Sequence, residues 1–245
     1  MVITSTKNES LKLFRSLQTK KGRKESGLYS VEGVNILKSV PENFKAEMLF
    51  IRESDYEKLS FLEKTLNKEA ALVSNKIFDS LCDTVTPIGA AACFGIPSEK
   101  PVSGDTVLLL CSLSDAGNVG TIIRTAAARG VNTILTYGDC ADCYSPKAVR
   151  ASMGGIFHTN IVKVNEKEIE ELKKTYKLAA LDMNGANIND FKKESKLIIA
   201  VGSEAHGLPQ FIKETGDYIL SIPMTDRMES LNAAVSASLA LYLID

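Results

Sequence analysis

The chain has 245 residues, 44% apolar and 24% charged, with a formal net charge of -1. That composition excludes a predominantly disordered chain. The longest near-apolar run, 233–244, is interrupted by Ser236 and Ser238 and is shorter than the roughly 20 residues a membrane span needs. The N-terminus has no apolar stretch of the kind a signal peptide carries and has an early Glu9. Five cysteines, an odd count, do not suit a secreted disulfide framework, so a reducing cytoplasm is the expected setting.

Residues 11–17 read as a helix, with Leu11, Phe14 and Leu17 three apart. The pattern then predicts a strand at 28–31, a helix at 34–39, a strand at 46–51, a helix at 56–68, a short helix at 76–82 and a strand at 90–96. The stretch 97–105, PSEKPVSGD, has the chemistry of a linker. Beyond it the alternation becomes regular. Strands are predicted at 107–113, 133–137, 160–164, 178–181, 197–202 and 217–222. Helices are predicted at 118–129, at 146–153 with Pro146 in its first turn, and at 166–176, 209–214 and 229–243. Such alternation implies a mostly parallel sheet covered on both faces. The expected organisation is a small α/β domain over 1–100 followed by a larger α/β domain over 105–245.

Open parallel sheets bind ligands at the carboxyl ends of their strands, and three loops there are chemically loaded. The first, Ser114 to Gly120, opens a helix whose free backbone N–H groups favour an anion, with Arg124 able to present a planar fork. A capped helix with a surface arginine explains the same residues. The second loop, Gly202 to Pro209, holds Glu204 between Gly202 and Gly207; a tight turn with an exposed carboxylate is the alternative. In the third, Ile222 to Asn232, Ser230 suits the cap of the last helix, with Asn232 in its first turn. Leu231, Val235, Leu239 and Tyr242 fall on one face of that helix, which core packing explains. No GxGxxG or GxxxxGK[ST] is present, which disfavours dinucleotide and P-loop sites. Neither His158 nor His206 lies in a hydrolase or zinc-protease setting, and Cys140 and Cys143 alone make an incomplete metal site. No metal is expected.

Charge is unevenly distributed. Residues 1–38 carry eight Lys/Arg and three Asp/Glu, a net of +5, and the remainder is net -6. Lys20, Lys21, Arg23 and Lys24 are either a phosphate-binding cluster or an ordinary solvated face.

Three strings in this order, DAGNVGTIIRTAAARGV, LIIAVGSEAHGLP and IPMTDRMESLNAAVSASLALYLI, resemble the SpoU (TrmH) family of RNA 2'-O-ribose methyltransferases. SPKAVRASMGGIF is also typical of that family, and KNESLKLFRSLQTKKGRKESGLYSVEGVNIL resembles the substrate-binding domain of its ribosomal-RNA members. Ala116 and Asp226 depart from the family's usual Pro and Gly. The resemblance implies a deep-knotted SPOUT methyltransferase domain, mostly parallel, behind a small α/β RNA-binding domain. It implies S-adenosylmethionine as cofactor and a homodimer with its active site at the interface. The substrate would be ribosomal RNA in preference to transfer RNA; a non-catalytic RNA-binding protein with this fold is the alternative. By motif match, Asn118, Arg124, Glu204, Ser230 and Asn232 fall at catalytic positions. Leu181, Gly202, Ile222, Met224 and Leu231 would line the cofactor pocket, with 181–185 as a further wall. The basic segment Lys20, Lys21, Arg23 and Lys24 would contact RNA phosphates. Because a guanidinium keeps its proton in proteins, Arg124 would position the nucleotide and stabilise the developing alkoxide.

Overall fold

The computed structural model describes residues 2–82, 89–193, 195–203 and 206–244. In chain order its elements are β1 (Val2–Ile3), α1 (Glu9–Ser16), α2 (Lys20–Ser26), β2 (Leu28–Glu32), α3 (Val34–Lys38), β3 (Met48–Arg52), α4 (Tyr56–Leu59), α5 (Phe61–Leu66), β4 (Ala70–Val73), α6 (Asn75–Leu81), β5 (Ala90–Gly95), β6 (Thr106–Cys111), α7 (Ala116–Ala128), β7 (Thr133–Tyr137), α8 (Pro146–Ser152), β8 (Asn160–Lys163), α9 (Glu166–Leu172), β9 (Lys177–Asn187), β10 (Leu197–Val201), α10 (Gln210–Thr215), β11 (Tyr218–Ser221) and α11 (Ala233–Leu243). They form two units. One comprises residues 1–98 with 142–157, the other 99–141 with 158–245. The segment 142–157, including α8, thus groups with the first unit.

The first unit has a five-stranded mixed sheet in the order β1-β4-β3-β5-β2. Helix α1 starts where the Asn8 side chain accepts from the Ser10 and Leu11 N–H groups, at 3.0 and 3.3 Å. Its Leu11 and Phe14, with Leu17, are buried beside Phe50, Val73 and Phe78. Helix α2, KKGRKES, has no apolar residue, which is why hydrophobic periodicity predicts none there. Local bonds make it instead: the Gly22 N–H donates to Thr19 Oγ1 at 3.1 Å, and Gly27 ends it in the left-handed conformation, φ 68°. A Cβ on Gly22 would run into the Ser16 carbonyl, so glycine alone permits this close packing of α2 on the end of α1.

Helix α8 packs against β2, with Arg150 Nη1 3.6 Å from Glu32 Oε2, and 142–157 is tied to the rest of its unit in two further ways. Arg23, 4% exposed, donates through Nε and Nη2 to Asp142 Oδ2 at 2.9 and 2.6 Å, and through Nη1 to the Leu17 carbonyl at 2.6 Å. Tyr29, Tyr144, Phe94, Phe44 and Phe157 form an aromatic cluster with contacting centroids 5.1–6.3 Å apart.

The second unit has a six-stranded sheet in the order β11-β9-β10-β6-β7-β8, and each of these pairings is parallel. Its central strands, TVLLLC in β6 and LIIAV in β10, read as unbroken apolar runs because both faces are covered. The stretch that reads as a linker is strapped onto this unit: the Lys100 N–H donates to Asn160 Oδ1 (3.0 Å) and the Ser103 N–H to Thr133 Oγ1 (3.2 Å).

Several expectations shift. The helix predicted at 56–68 is interrupted at Ser60 into α4 and α5, and β1 and β4, both very short, are additions to the pattern. Strand β9 runs on to Asn187, past the predicted end at Leu181. Ala180 lies opposite Ile219 and Ala186 opposite Leu220, so 181–185 bulges between consecutive β11 partners. The last helix begins at Ala233, not at 229.

Candidate functional site

The carboxyl ends of β9, β10 and β11 surround a cavity of about 350 Å³, within the size range of small-molecule sites. The sequence-predicted residues Leu181, Gly202, Ile222, Met224 and Leu231 all line it, as does Ser230. The bulge supplies one wall through Leu181, Asp182, Met183 and Asn184, and the Ser221 hydroxyl pins it by donating to the Gly185 carbonyl at 2.9 Å.

The turn after β10 supplies the opposing backbone. Ser203 and Gly207 bridge each other, with the Ser203 N–H donating to the Gly207 carbonyl at 3.1 Å and the reverse bond at 2.8 Å. Gly207 adopts φ +65°. A Cβ on Gly202 would overlap the Gly207 carbonyl and the Leu208 nitrogen, so only glycine leaves room for this fold-back. Glu204 lies outside the described residues.

The start of the last helix differs from expectation. Its cap is Asn232, whose Oδ1 accepts from the Ala234 and Val235 N–H groups at 2.9 and 3.3 Å. Ser230 lies two residues earlier, in the cavity wall, and does not cap the helix. The Asn232 amide also donates to Asn118 Oδ1 at 3.1 Å. Asn118 sits in the first turn of α7, where its own N–H donates to the capping Asp115 at 2.8 Å. One side chain thus starts α11 between two cavity-lining residues, Leu231 and Ala233, and bonds Asn118.

Helices α7 and α11 pack closely through the buried small residues Ala233, Ala234, Ala237 and Ala240. Ser238 Oγ donates to Thr125 Oγ1 at 3.1 Å, and Arg129 Nε donates to the Leu241 carbonyl at 3.0 Å. The expected core face is a correction: Val235, Leu239 and Tyr242 are 46%, 37% and 59% exposed. The alanine stripe and Leu241 are buried in place of these three residues.

Arg124 is exposed on α7 and makes no hydrogen bond or ion pair among the described residues; it is not part of the cavity lining. In the first unit Lys20, Lys21 and Lys24 are exposed, whereas Arg23 is buried with its donors engaged by Asp142 and Leu17. The structure removes Arg23 from the phosphate-contact set.

The sequence reading placed Asp182 in the 181–185 wall without singling it out, and it missed Lys213. Both line the cavity, and Lys213 Nζ lies 2.6 Å from Asp182 Oδ2. The Asn184 backbone N–H and side-chain amide donate to Asp182 Oδ1 at 3.0 and 3.3 Å. These bonds, Lys213's foremost, hold the Asp182 carboxyl below the usual carboxylate range. No periodic pattern marks this pair: one member sits in a bulge and the other on a one-and-a-half-turn helix. Among the described residues, no group of three or more His, Cys, Asp or Glu is placed to hold a metal.

A parallel sheet with a cavity at its carboxyl edge, apolar walls and closely approaching backbone defines a protein with a built site for an organic cofactor. Residues 105–242 match the model of the SpoU rRNA methylase family, and residues 8–92 match that of the MRM3-like substrate binding domain. The chain belongs to the SpoU rRNA methylase family. It is 30% identical over 98% of its length to a Bacillus subtilis protein, 23S rRNA (guanosine(2553)-2'-O)-methyltransferase RlmP, of which the match covers 97%. Among solved structures, the AdoMet-bound rRNA methyltransferase from Sinorhizobium meliloti superposes with a TM-score of 0.87 at 25% identity, covering 99% of this chain and 96% of that one. The SpoU methyltransferase AviRb from Streptomyces viridochromogenes, in complex with AdoMet, gives 0.85 at 26% identity, with 96% and 97% covered.

Proposed function

We propose that this protein transfers a methyl group from S-adenosylmethionine to a ribose 2'-hydroxyl of ribosomal RNA. The observation that carries the assignment is the cavity at the ends of β9, β10 and β11, whose lining includes every residue the family motifs mark for the cofactor. The residues fit that group. Leu181, Ile222 and Leu231 offer apolar walls for an adenine, the backbone beside Gly202 offers hydrogen bonds, and Asp182 and Lys213 offer charge. S-adenosylmethionine, when bound, supplies an electrophilic methyl group; the protein supplies alignment and electrostatics.

Asn232 is flanked by the lining residues Leu231 and Ala233 and bonds Asn118, so the two amides form a fixed polar edge for the target ribose. Ser230 adds a hydroxyl in the cavity wall. Arg124, exposed and unpaired among the described residues, holds the phosphate next to the target ribose with its planar fork. It also stabilises the developing alkoxide, the proton passing to phosphate or water. Glu204 is assigned an orienting role by its position in the second motif.

Lys20, Lys21 and Lys24 provide sequence-independent phosphate contacts. Two matches favour ribosomal over transfer RNA: the whole-chain likeness to RlmP and the substrate-binding family model over 8–92. The exposed apolar residues Val235, Leu239, Tyr242 and Leu243 on α11 support a homodimer in which that face is covered and the active site lies at the subunit interface. The flanking of β9 by β10 and β11 agrees with a deep knot around the cofactor site. No described helix is long and apolar enough to cross a membrane, and a cytoplasmic location suits an RNA-modifying role.

The test is methyl transfer from radiolabelled S-adenosylmethionine to ribosomal and transfer RNA from cells lacking the gene, followed by mapping of the ribose methylation. Labelled ribosomal RNA at one site supports the assignment. Label confined to transfer RNA redirects the substrate. Cofactor binding with no transfer to either RNA identifies a non-catalytic RNA-binding protein.

A further inference from the structure

The described lining of the cavity contains two charged side chains, Asp182 and Lys213, and they are paired at 2.6 Å. The side chain of Asp182 is 13% exposed and that of Lys213 39%. An ion pair whose lysine is open to solvent adds little to stability, so folding alone gives weak reason for its place in this wall. Its bonding leaves specific capacity unused. An ammonium has three donors, one of which goes to Asp182. On the carboxylate, among the described residues, Oδ1 receives both Asn184 donors and Oδ2 receives only Lys213.

That residual capacity matches one part of the proposed cofactor. Its amino-acid end is a zwitterion, and its sulfonium adds a positive charge. A lone lysine would meet the carboxylate but repel the sulfonium. A lone aspartate would meet the ammonium and leave the carboxylate unmatched. A neutral pair satisfies both ends of the zwitterion without adding net charge beside the sulfonium. Resting on the reading of this cavity as the cofactor site, we propose that Asp182 and Lys213 together recognise the aminocarboxylate of S-adenosylmethionine. Lys213 donates to its carboxylate and Asp182 Oδ2 accepts from its ammonium. The Asn184 bonds to Oδ1 fix the carboxylate in place for this.

Two ligands separate the ends of the molecule. S-adenosylhomocysteine carries the aminocarboxylate; 5'-methylthioadenosine keeps adenine, ribose and thioether but lacks it. Calorimetric titration of the full chain with both is made for wild type, Lys213→Met, Asp182→Asn and Lys213→Arg. Loss of a charge-assisted bond weakens binding by about ten- to a hundredfold. Lys213→Met and Asp182→Asn are expected to lose S-adenosylhomocysteine affinity on that scale and to hold 5'-methylthioadenosine within about twofold. Lys213→Arg recovers part of the loss. Unchanged 5'-methylthioadenosine binding also certifies that each variant is folded. Equal weakening of both ligands assigns the pair a role in cavity shape and overturns the proposal, as does no weakening of either. Wild type binding neither ligand overturns the cofactor reading itself.

Discussion

Arg124 and Arg23 have the same side chain and opposite fates. Arg23 spends its donors on Asp142 and a main-chain carbonyl inside the first unit; Arg124 is exposed and unpaired among the described residues. Burial is not written in a run of lysines, so charge alone does not distinguish Arg23 from its exposed neighbours Lys20, Lys21 and Lys24. Arg124→Lys keeps the charge and loses the planar fork. Its expected effect is a fall in kcat/KM of about a hundredfold with cofactor affinity unchanged, checked by steady-state kinetics beside calorimetry. The cysteines show burial acting on chemistry. Burial, foremost, pushes the Cys82 thiol up to about 12, and Cys93, Cys111 and Cys140 are raised for the same reason. Thiolate is the reactive form, so at pH 8 these four are expected to resist iodoacetamide in the native protein and react after denaturation. Mass spectrometry of the alkylated peptides checks this; modification of Cys82 at a free-thiol rate would refute it.

At the scale of elements, legibility in the sequence follows apolar periodicity. Strands β6 and β10, runs of aliphatic residues, stand where the pattern puts them. Helix α2 shows no period because its stability comes from a threonine cap, a glycine stop and one buried arginine. The outer part of β9 reads as loop because DMNGAN is polar, yet it pairs with β11 around a bulge. The sequence reading puts Ser230 at the cap of α11 with Asn232 in its first turn; the cap is Asn232, an equally good capping residue that also makes a bond to Asn118, long-range in sequence. The motif residues of the cavity and its 181–185 wall are legible by resemblance, whereas Lys213 and its pairing with Asp182 require the fold. An expectation belongs here for α2. Arg23→Met leaves Asp142 without its partner in a partly buried place and is expected to cost about 3 kcal/mol, read as a lower urea midpoint at constant m. Lys24→Ala, on the exposed side of the same helix, leaves stability unchanged. It is expected to lower the salt dependence of RNA binding by about one counterion.

For the molecule as a whole, α11 buries its alanine stripe and Leu241 and leaves Val235, Leu239, Tyr242 and Leu243 outward. Such a face on a lone chain is a liability for solubility, and a second copy removes it. Leu239→Glu, at a 37% exposed position, costs little folding stability but places a charge in the proposed interface. Sedimentation equilibrium is expected to show wild-type dimer and variant monomer at micromolar concentration. A wild type that sediments as monomer would sink the dimer and the interface active site with it.

The first unit does not close with the first 98 residues. It also takes in 142–157, whose Asp142 receives Arg23 and whose Tyr144 and Phe157 complete an aromatic cluster. Cut at the apparent linker, the gene would yield an amino-terminal fragment with an orphaned buried cation and an open apolar hollow, and a carboxy-terminal fragment with a helix that has lost its seat. Recombination between relatives at that point would break both halves unless 142–157 travelled with residues 1–98. The two parts are therefore bound to drift together in descent: a change at Arg23, Tyr29 or Phe94 selects for its answer more than forty residues away, in a stretch that sequence order assigns to the catalytic half.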